Sequence, residues 1–165
     1  MWLICSGMAG VEPVPEGVQT VATRLVFDDA TAAIAFYKEA FGATVPEEPY
    51  TAPDGKVVHS EIRIGGSLVF LTDEGDDRNG VAPSFVGGLV TAIMALNVSD
   101  VDALWERAVA AGCEIVYPLA DQFYGDRAGR LRDPFGHQWM LSTHIEDVDR
   151  DEIDRRMRAW SEQQG

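Results

Sequence analysis

Val21-Ala22-Thr23-Arg24-Leu25-Val26-Phe27-Asp28-Asp29 alternates in polarity, ends on two aspartates, and passes at once into a helical pattern. Period-two alternation puts Val21, Leu25 and Phe27 on one side of a strand. Asp28-Asp29 supply the carboxylates that accept hydrogen bonds from the free N–H groups of a first helical turn. Ile34, Tyr37 and Phe41 then recur at i, i+3 and i+7, Ala33 and Ala40 widen the stripe, and Gly42 provides a left-handed stop. The reading is a strand, a cap, a helix with one buried side, and a glycine.

Further strand signals follow. Pro46 and Pro49 limit pairing over residues 44–50, and Asp54-Gly55 is a hairpin turn. It leads into Val57–Ile64, where Val58, Ile62 and Ile64 oppose His59, Glu61 and Arg63. Gly65-Gly66 turns into Ser67–Asp73, and Asp73–Pro83 is a polar linker. The same events then recur. Thr91–Val98 reads as a strand, Ser99-Asp100 as a cap, Val101, Leu104, Trp105 and Ala108 as a helical stripe, and Gly112 as the stop. Ile115–Leu119 resumes strand character, Gly125 to Arg132 holds a hairpin, Asp133-Pro134-Phe135-Gly136 is a tight turn, and Gln138–Thr143 is a closing strand. Two fused copies of one small unit are the economical interpretation, with modules at about 19–75 and 89–146 inside one domain, 19–148, whose sheets share a core.

Residues 1–18 read as a flexible leader. The apolar opening lacks a basic stretch and breaks at Gly7 and Gly10, unlike a secretory signal. Residues 149–165 read as a C-terminal amphipathic helix. Ile153, Met157 and Trp160 fall on one side, to be laid on the domain or on a partner subunit. Seven acids against four arginines from Glu146 onward argue against a basic membrane-surface helix.

The 165 residues carry 13 basic and 27 acidic side chains, a net charge of −14, with 46% hydrophobic residues. That is globular composition, and it excludes disorder. No apolar run approaches the roughly 20 residues that span a bilayer, so no membrane role is expected. Nucleic acid is excluded as a partner, because that affinity rests on clustered Lys and Arg. Cys5 and Cys113 make no disulfide framework, which fits a cytoplasmic protein. No phosphate loop, nucleophile elbow or Cys-His pair is present.

Asp28-Asp29, Phe36-Tyr37 with Phe41-Gly42-Ala43, Ala110-Ala111-Gly112, Tyr124-Gly125-Asp126-Arg127 and Asp133-Pro134-Phe135-Gly136-His137 occur in that order over residues 19–148. In order and spacing they resemble the vicinal-oxygen-chelate superfamily of glyoxalase I, bleomycin-resistance proteins and extradiol dioxygenases, above all its PhnB-like branch. The resemblance implies an α+β fold of two βαβββ modules whose sheets form a half-open cup, often completed by a second chain. In the family's metalloenzymes four side chains, from the first and fourth strands of each module, hold a divalent Lewis acid. Carried over, those positions are Ala22, Phe70, Ile93 and Met140. Three have no donor atom, and a thioether is too soft for the usual metals.

Strand parity gives Arg24, Val26, Leu68, Thr72, Thr91, Ala95, Gln138 and Ser142 the same inward direction as those four. Such a lining suits an organic molecule held by apolar contact and oriented by a few polar groups. His59, Glu61 and Arg63 join it from the third strand, and Tyr124 and Arg127 stand near the rim. His59 and Glu61, on one strand face, fit an acid–base pair, two metal ligands, or a solvated surface. Tyr124 and Arg127 fit either contacts to a ligand or a turn in which Asp126 pairs with Arg127. His137 points away from the cup in a structural role, His144 lies at its rim, and Trp105 and Trp139 read as core. The expected protein is a metal-free binder of a small aromatic or cationic molecule, homodimeric, with no cofactor. Its expected ligand contacts are Arg24, His59, Glu61, Phe70, Tyr124, Arg127, Gln138 and Met140. The alternative is a lyase, isomerase or dioxygenase with a divalent metal displaced toward His59 and Glu61, and the sequence leaves catalysis itself open.

Overall fold

A computed structural model describes residues 12–75 and 80–164. The first residues of the expected leader, with Cys5, and the middle of the polar linker lie outside the described residues. Module one comprises β1 (Thr23–Phe27), α1 (Ala30–Phe41), β2 (Tyr50–Thr51), β3 (Val57–Ile64) and β4 (Ser67–Asp73). Module two comprises β5 (Ile93–Asn97), α2 (Val101–Ala110), β6 (Glu114–Asp121), β7 (Asp126–Arg132) and β8 (Gln138–His144), and α3 (Arg150–Gln164) follows. The sheets repeat one order, β1-β4-β3-β2 and β5-β8-β7-β6, with the first strand of each module parallel to the fourth. The fold is the α+β arrangement expected.

The caps repeat as well. Asp29 accepts from Ala32 N at 2.9 Å, and Asp100 accepts from Ala103 N at 3.0 Å. The end of each closing strand also reaches the helix of its own module. Ala30 N donates to Asp73 at 2.6 Å, and Val101 N donates to Thr143 Oγ1 at 2.9 Å. Each helix start thus has two donors satisfied by side chains. Gly42, at φ 67°, closes α1 as a left-handed cap.

The helix-bearing faces merge into one core. Leu25, Phe27, Ile62, Ile64, Val69 and Leu71 meet Val101, Leu104, Leu131, Trp139 and Leu141 there. Phe41 stands edge-on to Trp139, with ring centroids 4.9 Å apart, and Phe27 to Phe135 at 5.4 Å. At the centre of this seam Asp133 is only 2% exposed. Its Oδ2 accepts from Tyr37 Oη of the other module at 2.6 Å and from Trp139 Nε1 at 2.9 Å. Its Oδ1 accepts from the backbone N–H groups of Phe135 and His137 at 3.0 and 2.9 Å. His137 Nε2–H donates to the Val26 carbonyl at 3.1 Å, a second tie between modules.

Several boundaries differ from expectation. β1 begins at Thr23, leaving Val21 85% exposed, and Val58, read as a buried position, is 53% exposed. β5 is Ile93–Asn97, so Thr91 lies outside it. The hairpin read within Gly125 to Arg132 instead joins β6 and β7, with its turn at residues 122–125. Gly125, at φ 96°, accepts there from Ile145 and Glu146 N–H, and a Cβ on it would collide with the Glu146 carbonyl. α3 forms as expected, yet Met157 and Trp160 remain 43% and 50% exposed.

Two outcomes follow from the seam. Asp133→Ala strands the Tyr37 and Trp139 donors in the core and should lower unfolding free energy by about 3 kcal/mol, against about 1 kcal/mol for Tyr37→Phe. In a denaturant double-mutant cycle the two losses should be non-additive. Cys113 is buried, and that burial, with the Asp133 charge, pushes its thiol up to about 12. In Cys5→Ser protein, thiol-reagent labelling at neutral pH should therefore proceed only at the rate of opening or unfolding.

Candidate functional site

With one face of each sheet closed on the shared core, the opposite faces turn outward. On the first sheet that face carries Arg24 and Val26 from β1, His59, Glu61 and Arg63 from β3, and Phe70 from β4, flanked by Leu68 and Thr72, which are covered. Phe70 is its centre. Arg24 and Glu61 are its register partners, the Arg24 guanidinium stands 5.9 Å from its ring centroid, and the His59 ring is 5.3 Å away. His59 Nε2 and Glu61 Oε1 are 3.4 Å apart, both partly solvated. Arg63 donates to the Gly17 carbonyl at 3.0 Å, and Gln19 accepts from Leu68 N at 3.2 Å. This end of the expected leader is therefore fastened along the first sheet.

The open face of the second sheet carries Ile93, Ala95 and Asn97 of β5, Gln138, Met140 and Ser142 of β8, and Ala128, Arg130 and Arg132 of β7. Glu114 and Tyr117 of β6 complete it opposite Arg132 and Arg130. Gln138 pairs with Ile93 and Arg132, and Met140 with Ala95 and Arg130. A cavity of about 440 Å³ opens over this face, with Met140 and Ala128 on its floor. Tyr117, Phe123, Tyr124 and Trp160 form its walls. Trp160 comes from α3, 6.0 Å from the Phe123 ring. Burial, then the Asp126 carboxylate, holds the Tyr124 hydroxyl above the usual tyrosine range, so it remains a donor at neutral pH.

Of the expected contacts, Arg24, His59, Glu61 and Phe70 thus meet on the first sheet, and Gln138 and Met140 share the second, with Tyr124 in the β6–β7 turn beside it. Arg127 joins neither group. Its side chain turns toward the start of α2, forks onto Asp102 at 2.7 and 2.8 Å and reaches Asp121 at 3.0 Å. That pairing holds the Asp102 carboxyl below its usual range. His144 lies between Asp126 at 2.8 Å and Asp147 at 3.0 Å. Those hydrogen bonds raise its pKa, so the stabilisation they bring is complete below the ordinary histidine range and fades as pH climbs through the raised value.

Arg130, Arg132, Tyr117 and the Phe123–Trp160 wall are site features that the sequence reading passed over. The signal was present in β7, where Arg130 and Arg132 alternate with Gly129 and Leu131. A Cβ on Gly129 would stand 2.6 Å from the Trp105 ring and 2.9 Å from Leu119 Cα. Its bareness leaves room for Trp105 beneath the strand, and alternation puts the arginines on the opposite face.

No group of three or more His, Cys, Asp or Glu side chains able to hold a metal is found among the described residues. Ala22, Phe70, Ile93 and Met140 offer no hard donor, so these residues do not fit the family's divalent ion at its usual positions. No helix among the described residues is long and apolar enough to cross a membrane.

Comparison with known proteins places these features. An uncharacterized protein of Mycobacterium tuberculosis is 42% identical over 140 residues, covering 83% of this chain and 81% of its own. The crystal structure of TioX from Micromonospora sp. ML1 is similar with a TM-score of 0.62 and 28% identity, covering 77% of this chain and 99% of that one. A putative 3-demethylubiquinone-9 3-methyltransferase, PhnB protein, from Bacillus cereus shares the fold at a TM-score of 0.58 and 20% identity, covering 76% and 99%. The profile of the Glyoxalase/Bleomycin resistance protein/Dioxygenase superfamily matches residues 18–141, and the chain belongs to that superfamily.

Proposed function

We propose that this protein binds a small organic molecule on its open sheet faces without a metal. The observation that carries the reading is the chemistry of the four positions where this scaffold's metalloenzymes hold their ion. Here they are an alanine, a phenylalanine, an isoleucine and a methionine, which offer apolar surface and ligate nothing hard. Around them stand aromatic rings and a few polar groups, the composition of a pocket that grips by area and orients by hydrogen bonds. Arg24, His59, Glu61 and Phe70 on one sheet, with Gln138 and Met140 on the other and Tyr124 in the turn beside it, are the proposed contacts. Arg127 acts in this reading by holding α2 and the β6–β7 hairpin together.

A second copy of the chain completes the site. Ile93 and Tyr117 are 43% and 59% exposed on the second sheet, and an outward face of this composition is a natural surface for association. Each face carries charges of both signs, Arg24, Glu61 and Arg63 on the first and Glu114, Arg130 and Arg132 on the second, so association rests on the apolar surface.

One observation favours another reading. His59 and Glu61, 3.4 Å apart on the first open face, are two of the donors a displaced divalent ion would need. A partner subunit facing them would have to supply the rest for a lyase, isomerase or dioxygenase.

Two measurements decide. Thermal-shift screening of the full chain against planar aromatic compounds of positive, neutral and negative charge should give saturable stabilisation by at least one class. A flat response across all three defeats the binding reading. Elemental analysis of protein purified without chelator should find no stoichiometric Mn, Fe, Ni or Zn. A full equivalent that disappears in His59→Ala/Glu61→Ala protein establishes the metalloenzyme instead.

A further inference from the structure

Arg130 and Arg132 lie two residues apart on β7, so both side chains rise from the open face of the second sheet, on a chain whose net charge is −14. In both, Nε is buried and has no hydrogen-bond partner among the described residues. Arg132 reaches Glu114 at 3.4 Å through Nη1. Arg130 has no carboxylate partner among the described residues, and its guanidinium instead stands over the Tyr117 ring, 5.0 Å from the centroid. A guanidinium fixed on an aromatic face with a buried donor unfilled is prepared for an acceptor that comes from elsewhere.

Arg130 is not itself a lining residue of the cavity, but the register sets it beside residues that are. Arg130 is directly opposite Met140 and two residues from Ala128, both on the cavity floor, and Tyr117 beneath its guanidinium is part of the wall. The other aromatic walls are Phe123, Tyr124 and Trp160, and Asp121 is the charged residue of the lining. The Tyr124 hydroxyl, a second donor, has no hydrogen-bond partner among the described residues.

Carboxylates nearby are engaged. Asp121, which lines the cavity, accepts from Arg127 at 3.0 Å, and Asp126 is held by His144 at 2.8 Å. A cationic ligand would have to compete with Arg127 for Asp121, whereas Arg130 has no carboxylate to give up before it takes an anion. The acidic surface slows the encounter of an anion, but screening over about 10 Å limits that effect, while the interaction at the mouth is local.

We propose that this cavity takes an aromatic organic anion, its ring enclosed by Tyr117, Phe123 and Trp160 and its carboxylate held by Arg130. The proposal rests on the reading of the open faces as a ligand site, and it replaces the cationic ligand that net charge alone favours. Trp160 is the side chain that α3 contributes, which gives the exposed aromatic edge of that helix a role.

The test uses three probes of one shape on the full chain: 2-naphthoate, 2-naphthamide and 2-naphthamidine, by calorimetry with tryptophan fluorescence alongside. The expected result is that naphthoate binds at least about 10-fold more tightly than either of the others. Arg130→Gln should abolish that preference, Arg130→Lys should retain part of it, and Trp160→Ala should weaken all three probes. The lysine variant keeps the charge if the glutamine variant does not fold. Tighter binding of the amidine, or unchanged naphthoate affinity in Arg130→Gln, overturns this proposal and leaves the wider reading standing. Absence of binding by all three also overturns it, and only a flat response across the broader thermal-shift panel brings down the wider reading as well.

Discussion

One buried carboxylate governs how the two halves of this protein meet. Asp133 accepts four hydrogen bonds: two from its own tight turn, one from the indole of its own module, and one from a tyrosine of the other. The two backbone bonds shape the turn and the Trp139 bond sets the first residues of β8. The Tyr37 bond locks that arrangement to α1. Strand parity does the rest. Once Trp139 faces the core, Gln138 and Met140 have no choice but the outer face. The soft thioether position on which the functional reading draws is thus fixed by a residue on the other side of the sheet. A charge this deeply placed is tolerated because every approach to it ends in a donor.

Much of the architecture could be read from the chain because its local signals agree with one another. Asp29 and Asp100 cap the helices they were expected to cap, Gly42 takes the left-handed conformation, and the two modules repeat one strand order. The misreadings are of another kind. Val21 and Val58 continue an apolar alternation, yet no neighbouring element covers them, and periodicity does not report whether a partner surface reaches a given residue. The β6–β7 turn was misplaced because Asp126 and Arg127 look like turn residues and are instead the first pair of a strand.

The site divided along the same line. Parity alone sorted Arg24, His59, Glu61, Phe70, Gln138 and Met140 onto open faces, since alternation is a local property. It was silent on Arg127, whose direction is decided by Asp102 twenty-five residues earlier in the chain. It was also silent on Trp160, whose approach to Phe123 depends on how the chain leaves β8. Arg130 and Arg132 were hidden for a simpler reason. They lie on a strand from which the family draws none of its metal ligands, so the resemblance directed attention elsewhere.

The way α3 is fastened has a consequence for ionic conditions. Arg156 forks onto Glu146 at 2.7 and 2.8 Å and also reaches Glu152 at 2.6 Å, whereas Met157 and half of Trp160 stay in solvent. Of these pairs the one with Glu152 lies within the helix, and the one with Glu146 ties α3 to the chain that leads into it. Exposed pairs of this sort weaken as salt shortens the reach of their fields, while apolar contacts do not. The second sheet therefore has a cover whose grip is set by the electrolyte around it, a tether that dilute buffer tightens and brine slackens.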